Sequence, residues 1–257
     1  MSNKKNIVFI LDIDLKGDGR WASSRRAPYE YSIKSWKAWC DKNNAELFIL
    51  TDCLVDHNEM GICWQRYYLF DILESNGIEY DQVAMLDADT IVHPDCPNVF
   101  ELSDYKLVGV HNDGSYDWVI RSLENYSKFA FGGFQSKFWN YIDCGFIIVN
   151  ETHKPFFKTI TDFYWQNKDI LKQIESMHVG TDQTPFNILV ERENIDLKLL
   201  PYEYNMIDLT RKEILTEDLL FTKLGWIYQF NSIPNNVNDS LTLYWMKKTY
   251  EYFYGKK

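Results

Sequence analysis

Two carboxylates one residue apart, Asp87 and Asp89, follow the apolar run Gln82-Val83-Ala84-Met85-Leu86 and precede a second apolar step, Thr90-Ile91-Val92. On a strand, side chains spaced by two point the same way. If the strand persists that far, both carboxylates face one side at its C-terminal end. Paired hard oxygens there suit Mg²⁺ or Mn²⁺, held by one or two carboxylates together with substrate phosphates. A turn carrying two solvated aspartates is the plain alternative. The run Val83 to Leu86 reads as buried, and charge beside a buried strand needs a partner.

The flanking segments decide what else can reach that pair. Asn6 to Asp12 is a continuous run of branched and aromatic residues, expected as a buried strand and ending at a second Asp-x-Asp, Asp12-Ile13-Asp14. A polar loop with Gly17, Gly19 and Arg25-Arg26 follows. Tyr29, Ile33, Trp36 and Cys40 then share one face of a helix. Ala45 to Thr51 is a second strand ending at Asp52, and Ile62 to Ser75 a second helix carrying Arg66, stopped by Asn76-Gly77. Strand, helix, strand, helix, strand is the pattern of βαβ units and a parallel sheet. Ligands bind such sheets outside the C-terminal strand ends, where Asp12, Asp52, Asp87 and Asp89 all stand. Further on, strands are expected at Lys106 to His111, Cys144 to Asn150, Leu197 to Leu200 and Trp226 to Phe230. Helices are expected near 116–127, then over Lys154 to Asn167, Asp182 to Arg192 and Ser240 to Tyr254. The rest of 112–140 has no clear period.

A net charge of -10 argues against a nucleic-acid backbone or an anionic membrane as the main partner. The five cysteines are scattered, without a Cys-x-x-Cys pair, which fits reduced thiols and a cytoplasmic protein better than a disulfide framework or zinc site. No stretch reads as an integral membrane segment. The histidines lack metal-ligand spacing; His93 alone lies close enough to Asp89 to stay a minor suspect. No repeat, linker or low-complexity tract divides the 257 residues, so one domain over 1–257 is expected.

Four strings in order resemble the GT-A glycosyltransferases of the retaining glycogenin-like and lipopolysaccharide-galactosyltransferase-like family. They are Leu86-Asp87-Ala88-Asp89; Asp143-Cys144-Gly145 with its apolar run, where Asp143 stands in place of the usual Asn; Asp182-Gln183-Thr184-Pro185-Phe186-Asn187; and Leu200-Pro201-Tyr202-Glu203-Tyr204-Asn205. The resemblance implies an α/β GT-A (Rossmann-like) fold, a mixed, mostly parallel central sheet flanked by helices. It implies a nucleotide-binding half over 1–111 and a sugar and acceptor half over 112–257. It also implies a UDP- or GDP-sugar donor, a carbohydrate acceptor, retention of configuration and a Mn²⁺ (or Mg²⁺) cofactor.

Under that resemblance Asp87 and Asp89 hold the ion, with Asp87 also near the ribose. Asp12 and Asp52 are placed to meet the base or ribose, although loop capping is the alternative for both and the favoured one for Asp52. Arg66 reaches the diphosphate or the aspartates, unless it is a surface arginine. Asp182, Gln183 and Asp143 are the sugar-side catalytic candidates; Asp182 also reads as a helix N-cap. The departure is C-terminal. The relatives' His-x-x-Gly-x-x-Lys-Pro-Trp string corresponds to Ile227 to Pro234, with Gln229 in place of the metal-binding His and no Lys-Pro-Trp. Two other classes compete. One is a glycan-binding protein of the same fold with weak catalysis. The other is a haloacid-dehalogenase-like phosphatase, suggested by Asp12-Ile13-Asp14 but opposed by Lys16.

Overall fold

The computed structural model describes residues 4–13, 15, 26–234 and 240–255. Asp14, Gly17, Gly19 and Arg25 of the second Asp-x-Asp and its loop lie outside them, as does Lys16.

The strands are β1 (Lys5–Leu11), β2 (Ala45–Leu50), β3 (Tyr80–Asp87), β4 (Thr90–Val92), β5 (Leu107–His111), β6 (Ile142–Asn150), β7 (Leu197–Leu200) and β8 (Ile227–Gln229). The helices are α1 (Arg26–Asn43), α2 (Ile62–Gln65), α3 (Leu69–Ser75), α4 (Tyr116–Ala130), α5 (Lys154–Glu175), α6 (Gln183–Arg192) and α7 (Ser240–Tyr254). Six strands form one sheet in the order β2-β1-β3-β6-β5-β7, and β4 pairs with β8 in a small second sheet. β1 runs parallel to β2 and β3, and β5 to β7, while β6 is antiparallel to both its neighbours. The sheet is mixed and mostly parallel, reversed at one strand.

Strand alternation divides the core between the two faces. Phe9, Val83, Met85 and Ile147 pack with α3, α5 and α6 on one face. Val8, Ile10, Leu86 and Phe146 pack with Trp36 and Trp39 of α1 on the other. Every residue of β6 is buried, as a central strand covered on both faces requires. A third cluster, including Met206, Phe221, Tyr228 and Met246, seats the small sheet and α7.

Two expectations need correction. The central run does not continue as one strand through Asp89. β3 ends at Asp87, Ala88 and Asp89 form a turn, and β4 departs into the second sheet. The helix over 62–75 is also not uniform, because Arg66–Tyr68 is a single 3-10 turn between α2 and α3.

Candidate functional site

The registers fix which ends of the strands meet. Leu11 lies beside Asp87, Leu86 beside Phe146, and His111 beside Ile142. The C-terminal ends of β1, β3 and β5 therefore share one edge with the start of β6. At that edge a cavity of about 330 Å³ is lined by Leu11, Ile13, Tyr29, Arg66, Asp87 and Asp89, with Asn231 also on its wall.

The Asp87–Asp89 turn is pinned from three sides. Trp36 Nε1 donates to Thr90 Oγ1 at 2.9 Å, and Thr90 Oγ1 donates to the Asp87 carbonyl at 2.9 Å. The Phe230 backbone N–H donates to the Asp89 carbonyl at 2.8 Å. The turn brings both carboxylates to the cavity, a result that strand alternation alone does not supply.

Arg66 is buried, so it is not a surface arginine. Its Nη2 sits 2.8 Å from Asp87 Oδ1 and its Nε 3.6 Å from Asp182 Oδ2. Nη1 and Nε also donate to the carbonyls of Cys144 and Cys63, at 2.9 and 3.0 Å. Burial works against its charge, but Asp87 and Asp182 more than offset that and hold it protonated. The 3-10 turn aims this side chain inward and joins Asp87 on β3 to Asp182 before α6.

Asp182 occupies the N-cap position of α6 but makes no side-chain capping bond. Its carboxylate instead accepts from Tyr67 at 3.0 Å and from Thr181 Oγ1 at 2.9 Å. Gln183 Oε1 accepts the Cys144 N–H at 3.0 Å, which clamps α6 to β6. Asp143 accepts from Gly145 N at 2.8 Å and from Asn205 Nδ2 and Asn112 Nδ2 at 3.1 Å each. Burial, then Asp87, still push its carboxyl up to about 7. A Cβ at Gly145 would collide with Asp143 and with the Gln229 amide, so close approach requires glycine there.

Asp89 is the exception among these groups. Burial, then Asp87 and Asp143, push it up to about 8, with the Gln229 amide pulling slightly the other way. Gln229 Nε2 donates to Asp87 Oδ2 at 2.8 Å. Among the described residues, neither Asp89 Oδ1 nor Gln229 Oε1 has a hydrogen-bond partner, although both are buried. Buried oxygens without donors fit a cation-binding role, and the set of two carboxylates and one amide oxygen is hard. It is also incomplete. Among the described residues no group of three or more His, Cys, Asp or Glu side chains is arranged to hold a metal ion.

The other candidates fall further out. Asp12 is buried at the end of β1, between Leu11 and Ile13, and its N–H donates to the Leu50 carbonyl at 2.9 Å. Asp52 is exposed, accepts from Thr51 Oγ1 at 2.9 Å, and is not among the cavity's residues. His93 lies beyond the far end of β4, packed against Trp226 and Phe253. Sequence reasoning missed Tyr67 and Asn112. Counting three from Trp64 reaches Tyr67 and counting four reaches Tyr68; the structure buries Tyr67 and leaves Tyr68 partly exposed.

No protein-family model matches the sequence, and no curated protein matches it. Solved structures do. A glycosyltransferase involved in glycosylation of the major capsid of PBCV-1 aligns with a TM-score of 0.59 at 10% identity, over 93% of this chain and 98% of that one. The galactosyltransferase LgtC, solved with donor and acceptor sugar analogs, aligns at 0.53 and 12% identity, over 98% and 97%. The glycosyltransferase GlyE of Streptococcus pneumoniae aligns at 0.50 and 15% identity, over 95% of this chain and 61% of that one. The chain has the GT-A fold that these glycosyltransferases share. Among the described residues no helix is long and apolar enough to cross a membrane.

Proposed function

We propose that this protein is a metal-dependent glycosyltransferase moving a sugar from a nucleoside-diphosphate sugar to a carbohydrate hydroxyl, with retention. The observation carrying this reading is Asp87 and Asp89 on one cavity with Gln229 bonded to Asp87 behind it, Asp89 and Gln229 each keeping a buried oxygen without a partner among the described residues, in a fold shared with glycosyltransferases.

In this reading Asp89 and Gln229 Oε1, with Asp87, would hold Mn²⁺ or Mg²⁺, the diphosphate completing the oxygen set. A divalent ion held there would offset the negative charge that accumulates on the leaving diphosphate. The bond between the anomeric carbon and the phosphate oxygen breaks, and its electron pair leaves with that oxygen. The acceptor oxygen bonds to the anomeric carbon from the same face, and its proton passes to the departing phosphate oxygen. Asp182, held by Tyr67 and Arg66, supplies negative charge beside the developing cation. Gln183 keeps the start of β6 at that face, and Asp12 contacts the base or ribose. Asp143, knotted to Asn112 and Asn205, positions more than it reacts.

The glycan-binding alternative rests on Gln229 standing where the resemblance places a metal-binding His. The phosphatase alternative gains nothing from the fold. The test is a thermal-shift panel of UDP- and GDP-sugars with and without Mn²⁺, followed by NMR of the product anomer. A true donor raises the melting temperature by mass action and is consumed. A binder that turns over no donor defeats the enzymatic reading, and an inverted product defeats retention.

A further inference from the structure

We infer that three aromatic rings beside this site, Tyr116, Phe138 and Trp139, form a stacking platform for the pyranose of a carbohydrate acceptor; as an acceptor site it rests on the transfer reading above. Tyr116 opens α4, five residues beyond the end of β5, and Trp139 stands three residues before β6 begins. Both strand ends lie at the edge that carries Asp87. The rings therefore continue from the ends of β6 and β5, which stand first and second from β3 in the sheet. The cavity next to Asp87 and Asp89 involves β1 and β3.

Tyr116 and Trp139 are exposed, while Phe138 between them is half-buried against the core and fixes them relative to one another. Tyr116 is 66% and Trp139 57% exposed. Tyr116 meets Phe138 edge to face at 5.3 Å and 89°, and Phe138 meets Trp139 at 5.4 Å and 78°. Such geometry holds the two exposed rings in fixed orientations on either side of Phe138. The segment is clamped to the site two residues later, where Tyr141 Oη lies 3.4 Å from Gln183 Nε2 and 2.7 Å from Thr184 Oγ1.

Size and composition favour a sugar over a protein. The exposed large apolar residues of 112–141 are Tyr116, Phe129 and Trp139, all aromatic. Three rings of roughly 150–250 Å² each, partly covered by one another, fall short of the roughly 800 Å² per partner of a stable protein interface. Exposed Asp113, Lys137 and Asn140 lie within three residues of the rings in sequence. A pyranose has this character, an apolar C–H face for a ring and a rim of hydroxyls for amides and charges.

The experiment measures acceptor KM with methyl glucoside, methyl galactoside and methyl N-acetylglucosaminide, alongside the Kd of UDP and GDP. Trp139→Ala and Tyr116→Ala are expected to raise acceptor KM by roughly tenfold or more with nucleotide Kd unchanged. Trp139→Tyr, which keeps a ring, recovers most of that loss. An unchanged acceptor KM, or a parallel loss of nucleotide affinity, overturns the platform. If the wild-type chain turns over no nucleotide sugar, the transfer reading fails separately. The platform is then decided by ¹⁹F NMR of the full chain labelled with 5-fluorotryptophan, the Trp139 signal being identified by Trp139→Phe. A shift of that signal with any of the three glycosides upholds a carbohydrate site, and no shift with any overturns it.

Discussion

Four carboxylates meet at one end of the sheet, and they divide into two unlike pairs. Asp143 and Asp182 are met by the protein's own donors: two asparagines and a backbone N–H for the first, Tyr67, Thr181 and Arg66 for the second. Asp87 is shared between Arg66 and Gln229, while Asp89 retains an unpartnered buried oxygen among the described residues. The chemistry of the side chain is the same throughout. What differs is how completely the fold supplies donors to it. A partnered buried carboxylate maintains geometry unaided, whereas one left short of donors is a cost that ligand binding can relieve.

The largest expected effect tests the link between the pairs. Arg66→Ala removes the buried cation from between Asp87 and Asp182, stranding negative charge in the interior. Breaking a buried pair in this way costs about 3–5 kcal/mol, measurable by urea unfolding. A loss below about 1 kcal/mol, the worth of an exposed pair, would mean that Arg66 does not join them.

The next effect separates the pairs by activity. Asp89→Asn is expected to lower transfer by about a hundredfold or more, the scale of losing a preorganised charge contact. It should also raise the melting temperature of the metal-free protein. Asp143→Asn is expected to cost less turnover, since its role is to position Asn112, Asn205 and Gly145. Initial rates and melting curves of both variants check this, and equal losses would erase the contrast.

A pH series sharpens the same contrast without activity. Asp89 is raised from 3.8 to about 8 in the folded protein, so between those values the folded state binds more protons than the unfolded state. Stability of the metal-free protein should therefore fall as pH rises from about 4 to about 8. Asp143, raised to about 7, adds to the fall over the lower part of that range. Asp89→Asn should flatten the slope most where Asp143 no longer titrates. Denaturant midpoints across the range measure it, and a wild-type curve that rises steadily to pH 8 contradicts the strain assigned to Asp89.

The β1–β3 side of the site was more legible in the sequence than the β6 side, for physical reasons. β1 and β3 are continuous apolar runs that end in aspartates, so strand and site were both visible. β6 was visible as a strand, but not its direction, because a run buried on both faces reads alike either way. That reversal brings Asp143 and Gly145 to the edge carrying Asp87. The Ala88–Asp89 turn stood only as the alternative to a continuous strand, because both flanking segments are apolar and only a change of sheet separates them. Tyr67 and Asn112 had no signal beyond a helical wheel and a loop amide. Their partners, Asp182 and Asp143, are 115 and 31 residues away.

The smallest expected effect concerns Gln229, which lies beside both Asp87 and Asp89. Its Nε2 donates to Asp87, and its Oε1 points toward Gly145 without a partner among the described residues. An amide oxygen is a neutral and weak ligand, so the carboxylates and the diphosphate must supply most of the affinity. The protein alone should bind Mn²⁺ poorly and gain it with nucleotide. Gln229→His offers an imidazole nitrogen in the same place and should tighten Mn²⁺ by about tenfold, or about 1.4 kcal/mol. The gain is bounded because the substitution gives up the Nε2 bond that steadies Asp87, and because Gly145 leaves little room for a ring to turn. A Mn²⁺ titration of both forms at saturating UDP or GDP measures the difference. Equal affinities would take Gln229 out of the coordination shell and return it to the partnered class, as a residue that orients Asp87 and nothing more.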